Sequence, residues 1–230
     1  MSDKVREVTE LRKQILLAAQ RIMKNGAASR SAHGNISIRI PQTNMMLLTS
    51  ASALDGLTAD MLPLVTFDGK VIDGYLEPIS AEVVGMHAVV YETNGEMGSV
   101  IHTHAPYATS FAVANMPIEC WYEGMARFGM TDPVPIAKYG PRGSAESISN
   151  ISDVMNERSR AVLLQNHGVL AFAHNVNEAV RNLTLLEEAA ELGIRASILG
   201  KPTLIPAEMS EYAQRRAQEF AEHGTIHTHE

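Results

Sequence analysis

Apolar residues recur every three or four positions along several long stretches of the chain, which is the spacing of one face of an amphipathic helix. Val8, Leu11 and Ile15 show this spacing near the beginning of the chain. The pattern predicts helices over residues 4–25, 78–94, 106–115, 144–158, 176–199 and 207–222. In the second of these helices, Ser80 is the predicted N-cap, shortly after Pro78 opens the helix.

In other stretches, apolar residues recur at every second position or form short runs. Residues 36–40 alternate between isoleucine and a polar residue, which predicts a strand with one face in water, preceded by a turn at Gly34 and Asn35. Apolar runs predict further strands over residues 45–49, 64–67, 71–72, 100–104, 161–164 and 169–172. Asp68 and Gly69 have the turn chemistry of a hairpin between two of them. We expect residues 116–142 to be part strand and part loop.

Composition limits what the chain can be. It has 230 residues, 45% of them hydrophobic and 20% charged, without a shift that would divide it, so we expect one domain over residues 1–230. The net charge of −7 and the scattered basic residues argue against a nucleic-acid partner. Cys120 is the only cysteine, so an intrachain disulfide is impossible. A charged N-terminus and the lack of a membrane-length apolar stretch predict a cytoplasmic protein without a membrane partner.

Two histidines stand one residue apart at the end of an apolar run, His102 and His104. Residues i and i+2 of a strand point to the same face, so both imidazoles can converge on one point. His167 follows another apolar run. If those strands are neighbours, the three histidines form a metal site with an open fourth position, which is typical of a catalytic metal. The alternative is that each is an ordinary polar residue at a strand end.

A second histidine pair, His227 and His229, lies close to His223 in the polar segment 223–230. No apolar strand precedes it, so we expect a mobile polar tail rather than a second metal site.

Glu82 is the candidate acid or base. It falls in the first turn of the helix predicted from Pro78, where the helix dipole favours a carboxylate whatever its role. That helix and a turn lead to the strand of the histidine pair. The end of the strand can therefore lie close to Glu82. A carboxylate beside a divalent ion and a carbonyl is suited to removing a proton next to that carbonyl.

Small hydrogen-bonding residues at loops and helix starts are candidates for binding a substrate or its phosphate group. They are Gly34, Asn35, Ser50, Ser52 and Ser80. Turn formation and helix capping are the alternative roles for each of them.

Five segments in this order resemble the class II aldolase and adducin family, and the resemblance covers roughly residues 11–199. The segments are Gly-Asn-Ile-Ser-Ile-Arg at 34–39, Leu-Thr-Ser-Ala-Ser at 48–52 with Leu-Thr-Ala-Asp at 57–60, Pro-Ile-Ser-Ala-Glu at 78–82, His-Thr-His-Ala-Pro-Tyr-Ala-Thr at 102–109 and Leu-Gln-Asn-His-Gly at 164–168. Five ordered motifs are far more specific than any one of them.

The resemblance implies an α/β fold with a central, mainly antiparallel sheet between helix layers. It also implies a homotetramer with active sites at the subunit interfaces and one divalent metal per subunit. Zinc is the expected ion, with manganese, cobalt or magnesium as alternatives, and His102, His104 and His167 match its ligands. Glu82 matches the catalytic acid/base, although it stands one residue further from the histidine pair than in the aldolases. Tyr122 falls near a tyrosine that a neighbouring subunit contributes as proton donor, and Tyr212 near a second, C-terminal one.

The activity that the resemblance implies is a lyase reaction. The expected reaction is aldolase cleavage of a carbon–carbon bond in a small ketose or ketose phosphate through an enediolate. Ala51 and Ala81 stand where family aldolases have hydroxyl residues around the phosphate, so a carboxylate or an unphosphorylated substrate remains open. Decarboxylation of a hydroxy, keto or hydroxyaromatic acid on the same site is the alternative. A sugar-phosphate 4-epimerase and a non-catalytic adducin-like module are further alternatives.

Overall fold

A computed structural model describes residues 3–51 and 53–223. Ser52 lies outside the described residues, and so do residues 224–230 with His227 and His229. The predictions for Ser52 and for that polar segment are therefore untested. Within the described residues, no helix has both the length and the apolar character that crossing a membrane requires.

Eight α-helices and one short 3-10 helix at Ala59–Met61 occur within the described residues. The α-helices are α1 Asp3–Lys24, α2 Pro78–Ala81, α3 Val84–Thr93, α4 Pro106–Ala114, α5 Glu123–Arg127, α6 Ala145–Val154, α7 Val176–Leu199 and α8 Ala207–His223.

Eight strands form one sheet. They are β1 Gly34–Arg39, β2 Met45–Leu48, β3 Leu64–Thr66, β4 Val71–Asp73, β5 Ser99–Thr103, β6 Ile136–Ala137, β7 Ala161–Leu164 and β8 Gly168–Ala173. Their order across the sheet is β4-β3-β2-β1-β5-β8-β7-β6. Only the last pair, β6 with β7, is parallel. The strand β5 therefore lies near the middle of the sheet, between β1 and β8.

Helices cover both faces of this sheet. The core on one face joins strand side chains such as Ile36 and Ile101 to helices α1, α4, α5 and α7. The core on the other face joins the alternate strand residues, such as Val100 and Phe172, to α3 and α6. Successive strand residues point to opposite faces, so one strand supplies both cores. The predicted α/β fold, a mainly antiparallel sheet between helix layers, is confirmed.

The water-exposed face predicted for β1 is wrong. Alternation shows that Ser37 lies on the opposite face from Ile36 and Ile38, but α3 covers that face and Ser37 is fully buried. The turn predicted at Gly34 and Asn35 is also wrong, because both residues are already part of β1 and pair with β5.

The helix predicted over residues 78–94 is two helices. The helix α2 ends at Ala81, and α3 begins at Val84. Ser80 is not an N-cap: it lies inside α2, and its hydroxyl donates a hydrogen bond to the Ser50 carbonyl. Between residues 116 and 142 the chain also forms the short helix α5, which the pattern did not predict.

Three polar side chains form a buried network between β1 and α3. The Ser37 hydroxyl lies 2.8 Å from His87 Nδ1 and 2.7 Å from the Tyr91 hydroxyl. All three side chains are buried, so these hydrogen bonds replace those that water would supply. Burial also lowers the pKa of His87 to about 3, which keeps its imidazole neutral.

A neutral buried histidine makes stability depend on pH. Between pH 6.5 and about pH 3 the unfolded chain binds a proton at His87 that the folded chain does not, so stability falls as the pH is lowered. We expect His87 alone to cost roughly 2 kcal/mol between pH 7.5 and pH 5. Urea unfolding of metal-free protein at both pH values should show a smaller loss in His87→Gln than in the unchanged protein. Equal losses in both would contradict this assignment.

Candidate metal centre

The pairing of β5 with its two neighbours brings the three predicted histidines together. His102 lies in β5, opposite Asn35 of β1 and Leu170 of β8. His104 follows directly after the end of β5, and His167 lies in the turn between β7 and β8. Because β5 and β8 are antiparallel, the end of β5 meets the beginning of β8, which places His104 beside His167.

The three imidazoles are close enough to share one ion. The ring centroids are 5.0 Å apart for His102 and His104, 4.7 Å for His102 and His167, and 5.2 Å for His104 and His167. One ring nitrogen from each lies within 4.8 Å of the others. No other group of three histidine, cysteine or acidic side chains in the described part of the chain meets this condition.

All three histidines have pKa values below the ordinary one. Burial is the main cause for each, and the neighbouring imidazoles add to it for His102 and His167. The pKa of His167 falls to about 4, and that of His102 falls well below its usual range. Neutral imidazole is the form that binds metals, so the site is in its ligand form at neutral pH.

Hydrogen bonding fixes which nitrogen is available. His102 Nδ1 lies 2.9 Å from the Val169 carbonyl oxygen and must donate to it, which leaves Nε2 free for a metal. His104 Nε2 is buried and has no hydrogen-bond partner among the described residues. A buried polar atom without a partner is costly, and a bound cation would satisfy it. The residues present therefore fit a divalent metal.

Two glycines let the flanking strands approach the histidines closely. A Cβ atom at Gly34 would lie 2.6 Å from the His102 carbonyl oxygen. At Gly168 it would lie 2.6 Å from the Thr103 carbonyl oxygen and 2.8 Å from His104 Cδ2. Any side chain at these positions would push β1 or β8 away from the histidine strand.

A cleft of about 130 Å³ opens onto the histidines. Gly34 and Asn35, two of the candidate substrate-binding residues, line it. Asn35 is 3% exposed, and its Nδ2 has no hydrogen-bond partner in the described part of the chain. The cleft therefore offers an unused donor next to the candidate metal ligands.

Sequence reasoning missed other residues of the cleft. His33 lies with its ring centroid 6.2 Å from that of His104, and Arg142 lines the cleft together with Ile79. His33 directly precedes the Gly34-Asn35 motif and could have been found from that position. Arg142 is remote in sequence from every motif, and only its place in a Gly-Pro-Arg-Gly stretch marks it.

Glu82 lies at the edge of the cleft rather than among the histidines. It occupies the C-terminal end of α2, so the predicted first-turn position and its helix-dipole stabilisation are wrong. Its side chain is 52% exposed, and Oε2 lies 3.2 Å from Arg142 Nε. Arg142 therefore connects Glu82 to the cleft.

The serines predicted to bind substrate are engaged elsewhere. Ser50 Oγ accepts a 2.9 Å hydrogen bond from the Glu77 N–H, and the Ser80 hydroxyl donates to the Ser50 carbonyl. Both serines are buried and do not line the cleft. Their contacts fix α2 against the loop after β2.

Tyr122 does not line the cleft of its own chain. Its hydroxyl donates a 2.9 Å hydrogen bond to Glu188 Oε2, and burial together with this carboxylate raises the tyrosine pKa well above its usual value. Because its predicted role is in a neighbouring subunit, that role stays a prediction.

The match to a family covers most of the chain. Residues 14–194 match the class II aldolase and adducin N-terminal domain. The chain belongs to the class II aldolase and adducin family. This confirms the resemblance seen in the five motifs.

Several members of the class II aldolase and adducin family are similar to this chain over most of its length. A 5-methylthioribulose-1-phosphate/5-deoxyribulose-1-phosphate aldolase of Escherichia coli O45:K1 is 31% identical, over 85% of this chain and 90% of that protein. A 3-oxo-tetronate 4-phosphate decarboxylase of Escherichia coli O6:H1 is 28% identical, over 84% and 90%. The solved structure of an L-fuculose 1-phosphate aldolase is 25% identical with a TM-score of 0.81, covering 91% of this chain and 96% of that one. Aldolases and decarboxylases both break carbon–carbon bonds, so the predicted enzyme class, a carbon–carbon lyase, is confirmed.

Gly34→Ala should separate β1 from β5, because its Cβ atom would have no room beside the His102 carbonyl. We expect a loss of about 1–3 kcal/mol in unfolding free energy and weaker binding of zinc, measured by competition with a chelator. Gly95→Ala is the matched control, since a Cβ atom there meets nothing within 4 Å. Equal zinc affinity in both variants would contradict a close-packing role for Gly34.

Glu187 of α7 fixes the segment that carries His104. It is buried, and its two carboxylate oxygens each accept a 2.8 Å hydrogen bond, from the Tyr107 and Ala108 N–H groups. These groups lie in the first turn of α4, which begins two residues after His104. A carboxylate at this position satisfies two free N–H groups and is stabilised by the helix dipole.

Removing this anchor should loosen the metal site. In Glu187→Gln one acceptor and the charge are lost, so we expect zinc affinity to fall about tenfold. Glu191→Gln on the same helix is the control, because Glu191 pairs only with exposed Arg195 in the described part of the chain. Chelator competition and the absorption spectrum of cobalt-loaded protein would report the change. An unchanged spectrum and affinity in Glu187→Gln would show that the anchor does not position His104.

Proposed function

We propose that the protein is a divalent-metal-dependent aldolase that cleaves a carbon–carbon bond of a small ketose or ketose phosphate. The observation that carries this proposal is the set of three neutral imidazoles, with the unpartnered Nε2 of His104 beside an open cleft. Zinc fits this donor set best, because three nitrogen ligands with a free position are typical of catalytic zinc. Magnesium prefers oxygen ligands, while cobalt and manganese are alternatives.

When bound, a divalent ion supplies a Lewis acid that stabilises the negative charge developing on substrate oxygens as the bond breaks. His102, His104 and His167 would hold it. Glu82 would move the proton, and the Arg142 guanidinium, 3.2 Å from its Oε2 atom, holds it at the edge of the cleft before the substrate binds. Gly34 and Asn35 would orient the substrate, since both line the cleft and Asn35 Nδ2 has no hydrogen-bond partner among the described residues.

Ser50, Ser52 and Ser80 are proposed to shape the phosphate end of the site. Ser50 and Ser80 would do so indirectly, because their hydroxyl groups already hold the loop after β2 and α2 together. The phosphorylated sugars in the names of the aldolase relatives are candidate substrates.

A homotetramer with active sites between subunits is part of the proposal. A single chain supplies only a small cleft, and Tyr122, the proposed proton donor, lies outside it. A neighbouring subunit would have to bring its own Tyr122 to the cleft. We further propose that the protein works in the cytoplasm.

Decarboxylation of a hydroxy or keto acid is the second candidate function. The observation that favours it is Arg142, a permanent cation in the cleft that suits a carboxylate. A relative named as a 3-oxo-tetronate 4-phosphate decarboxylase supports the same alternative.

His104→Ala should remove both bound metal and turnover, because it deletes one of the three candidate ligands. Metal content is measured by mass spectrometry. Turnover is measured in a screen of sugar phosphates against hydroxy and keto acids, with aldehyde and carbon dioxide assayed separately. His174→Ala, which alters a histidine outside the cleft, should keep both properties. Full activity in metal-free His104→Ala protein would exclude the mechanism.

A further inference from the structure

Arg142 is presented to the cleft by a firmly attached loop. The loop joins β6 to α6, and Ser144 at its end accepts a hydrogen bond from the Ser147 N–H as the N-cap of α6. A Cβ atom at Gly140 would lie 2.6 Å from the Ser147 backbone, so the loop lies directly on the first turn of that helix. The fold therefore fixes the backbone of Arg142 beside the cleft.

Two contacts hold the guanidinium at the edge of the cleft. Nη2 donates a 2.7 Å hydrogen bond to the Ile79 carbonyl, and Nε pairs with Glu82 Oε2 at 3.2 Å. Neither contact uses Nη1. The side chain is 37% exposed and lines the cleft, so a ligand that enters the cleft can reach the guanidinium.

The charges around the cleft are unbalanced in favour of an anion. Arg142 and the candidate metal ligands line the cleft, and no carboxylate of the described residues does. Because imidazole binds metals in its neutral form, a divalent ion would add two positive charges to that of Arg142. In the described part of the chain, Glu82 is the one carboxylate in contact with Arg142, and it does not line the cleft. An anionic group of the substrate would balance this charge.

The donors that this chain offers would place the anionic group of the substrate close to the histidines. Arg142 and Asn35, whose Nδ2 has no partner among the described residues, line the same cleft of about 130 Å³ as His104. The hydroxyl groups of Ser50 and Ser80, which would reach a more distant phosphate, are buried in contacts of their own. A carboxylate one bond away from the reacting carbonyl satisfies this geometry.

The ion pair with Glu82 shows that the Arg142 guanidinium can bind a carboxylate. Planar carboxylate and guanidinium groups form parallel hydrogen bonds, and a substrate carboxylate can take the place of Glu82. The exchange would release the Glu82 carboxylate for proton transfer when the substrate is bound.

We propose that Arg142 binds the carboxylate of a small 2-oxo acid in the cleft, in exchange for Glu82, and that the substrates of this lyase are 4-hydroxy-2-oxo acids. The proposal rests on the carbon–carbon lyase function proposed above and assigns to it 2-oxo acids in place of ketoses as the substrate class. Arg142 is a specificity-determining residue in this scheme.

The bound carboxylate is retained in the reaction. In the aldolase reaction the bond that breaks is the one between C3 and C4, and the carboxylate stays on the 2-oxo acid product. The proton of the 4-hydroxyl leaves as the aldehyde forms, and C3 gains a proton. The products are a 2-oxo acid and an aldehyde, without any change in oxidation state overall.

Calorimetry with matched probes tests the binding step on zinc-loaded protein. Pyruvate carries the carboxylate, hydroxyacetone replaces it with a neutral group, and dihydroxyacetone phosphate places the anion further away. In Arg142→Gln we expect pyruvate to bind roughly tenfold more weakly or worse, with hydroxyacetone changed by less than about twofold. The pyruvate affinity of Arg142→Lys should lie between those of the unchanged protein and Arg142→Gln, because lysine keeps the charge but not the planar arrangement of donors.

Two further variants complete the test. Arg158→Gln is the matched control, since Arg158 pairs with Asp132 outside the cleft and should leave pyruvate binding unchanged. Glu82→Gln should bind pyruvate more tightly, because the competing carboxylate is gone. Zinc content should be equal in all four variants. Weaker pyruvate binding in Glu82→Gln would overturn the exchange.

The proposal is overturned if Arg142→Gln leaves pyruvate binding unchanged, or weakens hydroxyacetone equally. It is also overturned if only dihydroxyacetone phosphate loses affinity, since Arg142 would then bind phosphate. Turnover of 4-hydroxy-2-oxo acids should release aldehyde and no carbon dioxide, and Arg142→Gln should lose it. If the unchanged protein cleaves only sugar phosphates, this inference fails and the proposed aldolase function stands. If it binds no zinc and cleaves nothing, the proposed function fails, while pyruvate calorimetry on the metal-free unchanged protein and on metal-free Arg142→Gln still tests the contact between Arg142 and the carboxylate.

Discussion

The pairing of β5 with β1 on one side and β8 on the other is the constraint on which the candidate site depends. Backbone hydrogen bonds fix the register, and the register places His102 opposite Asn35 and His104 beside His167. The two glycines at the strand ends permit the close approach that this pairing needs. A shift by one residue would turn His102 to the opposite face of the sheet, so metal binding and strand register cannot vary independently.

Burial on both faces of the sheet explains the hydrogen bonding of its polar side chains and the neutral state of its imidazoles. Polar groups inside such a sheet must find partners, and Ser37, Tyr91 and His102 do. Asn35 Nδ2 and His104 Nε2 are unpaired and adjoin one cleft. An unpaired buried atom destabilises the fold, so a ligand in the cleft that satisfied these two atoms would recover that free energy. The same burial keeps the imidazoles neutral and thus ready to bind a cation.

The sequence predicted those features of the fold that depend on residues close together in the chain. The helix Val176–Leu199 was predicted with its observed bounds, because its apolar spacing is long and regular. The histidines were predicted as a group because each follows an apolar strand. The break after α2 and the helix α5 were missed, since helices of four or five residues have no period to detect. Alternation placed Ser37 on the other face of β1 but could not show that α3 covers that face. Arg142 reaches the cleft only through tertiary packing, which no motif records.

The loop that carries Arg142 has anchors of two kinds. At its beginning, the Tyr139 N–H donates a hydrogen bond to Gln165 Oε1, two residues before His167. Around Arg142 itself, the anchors are the cap of α6 and the packing of Gly140 against that helix, and neither involves β1, β5 or β8. Changes of sequence at residues 141–143 can therefore alter what the protein recognises while the candidate metal ligands keep their geometry. A lineage with this architecture can diversify its chemistry by loop replacement alone, and the same segment is the place to begin in redesigning the enzyme for a new substrate.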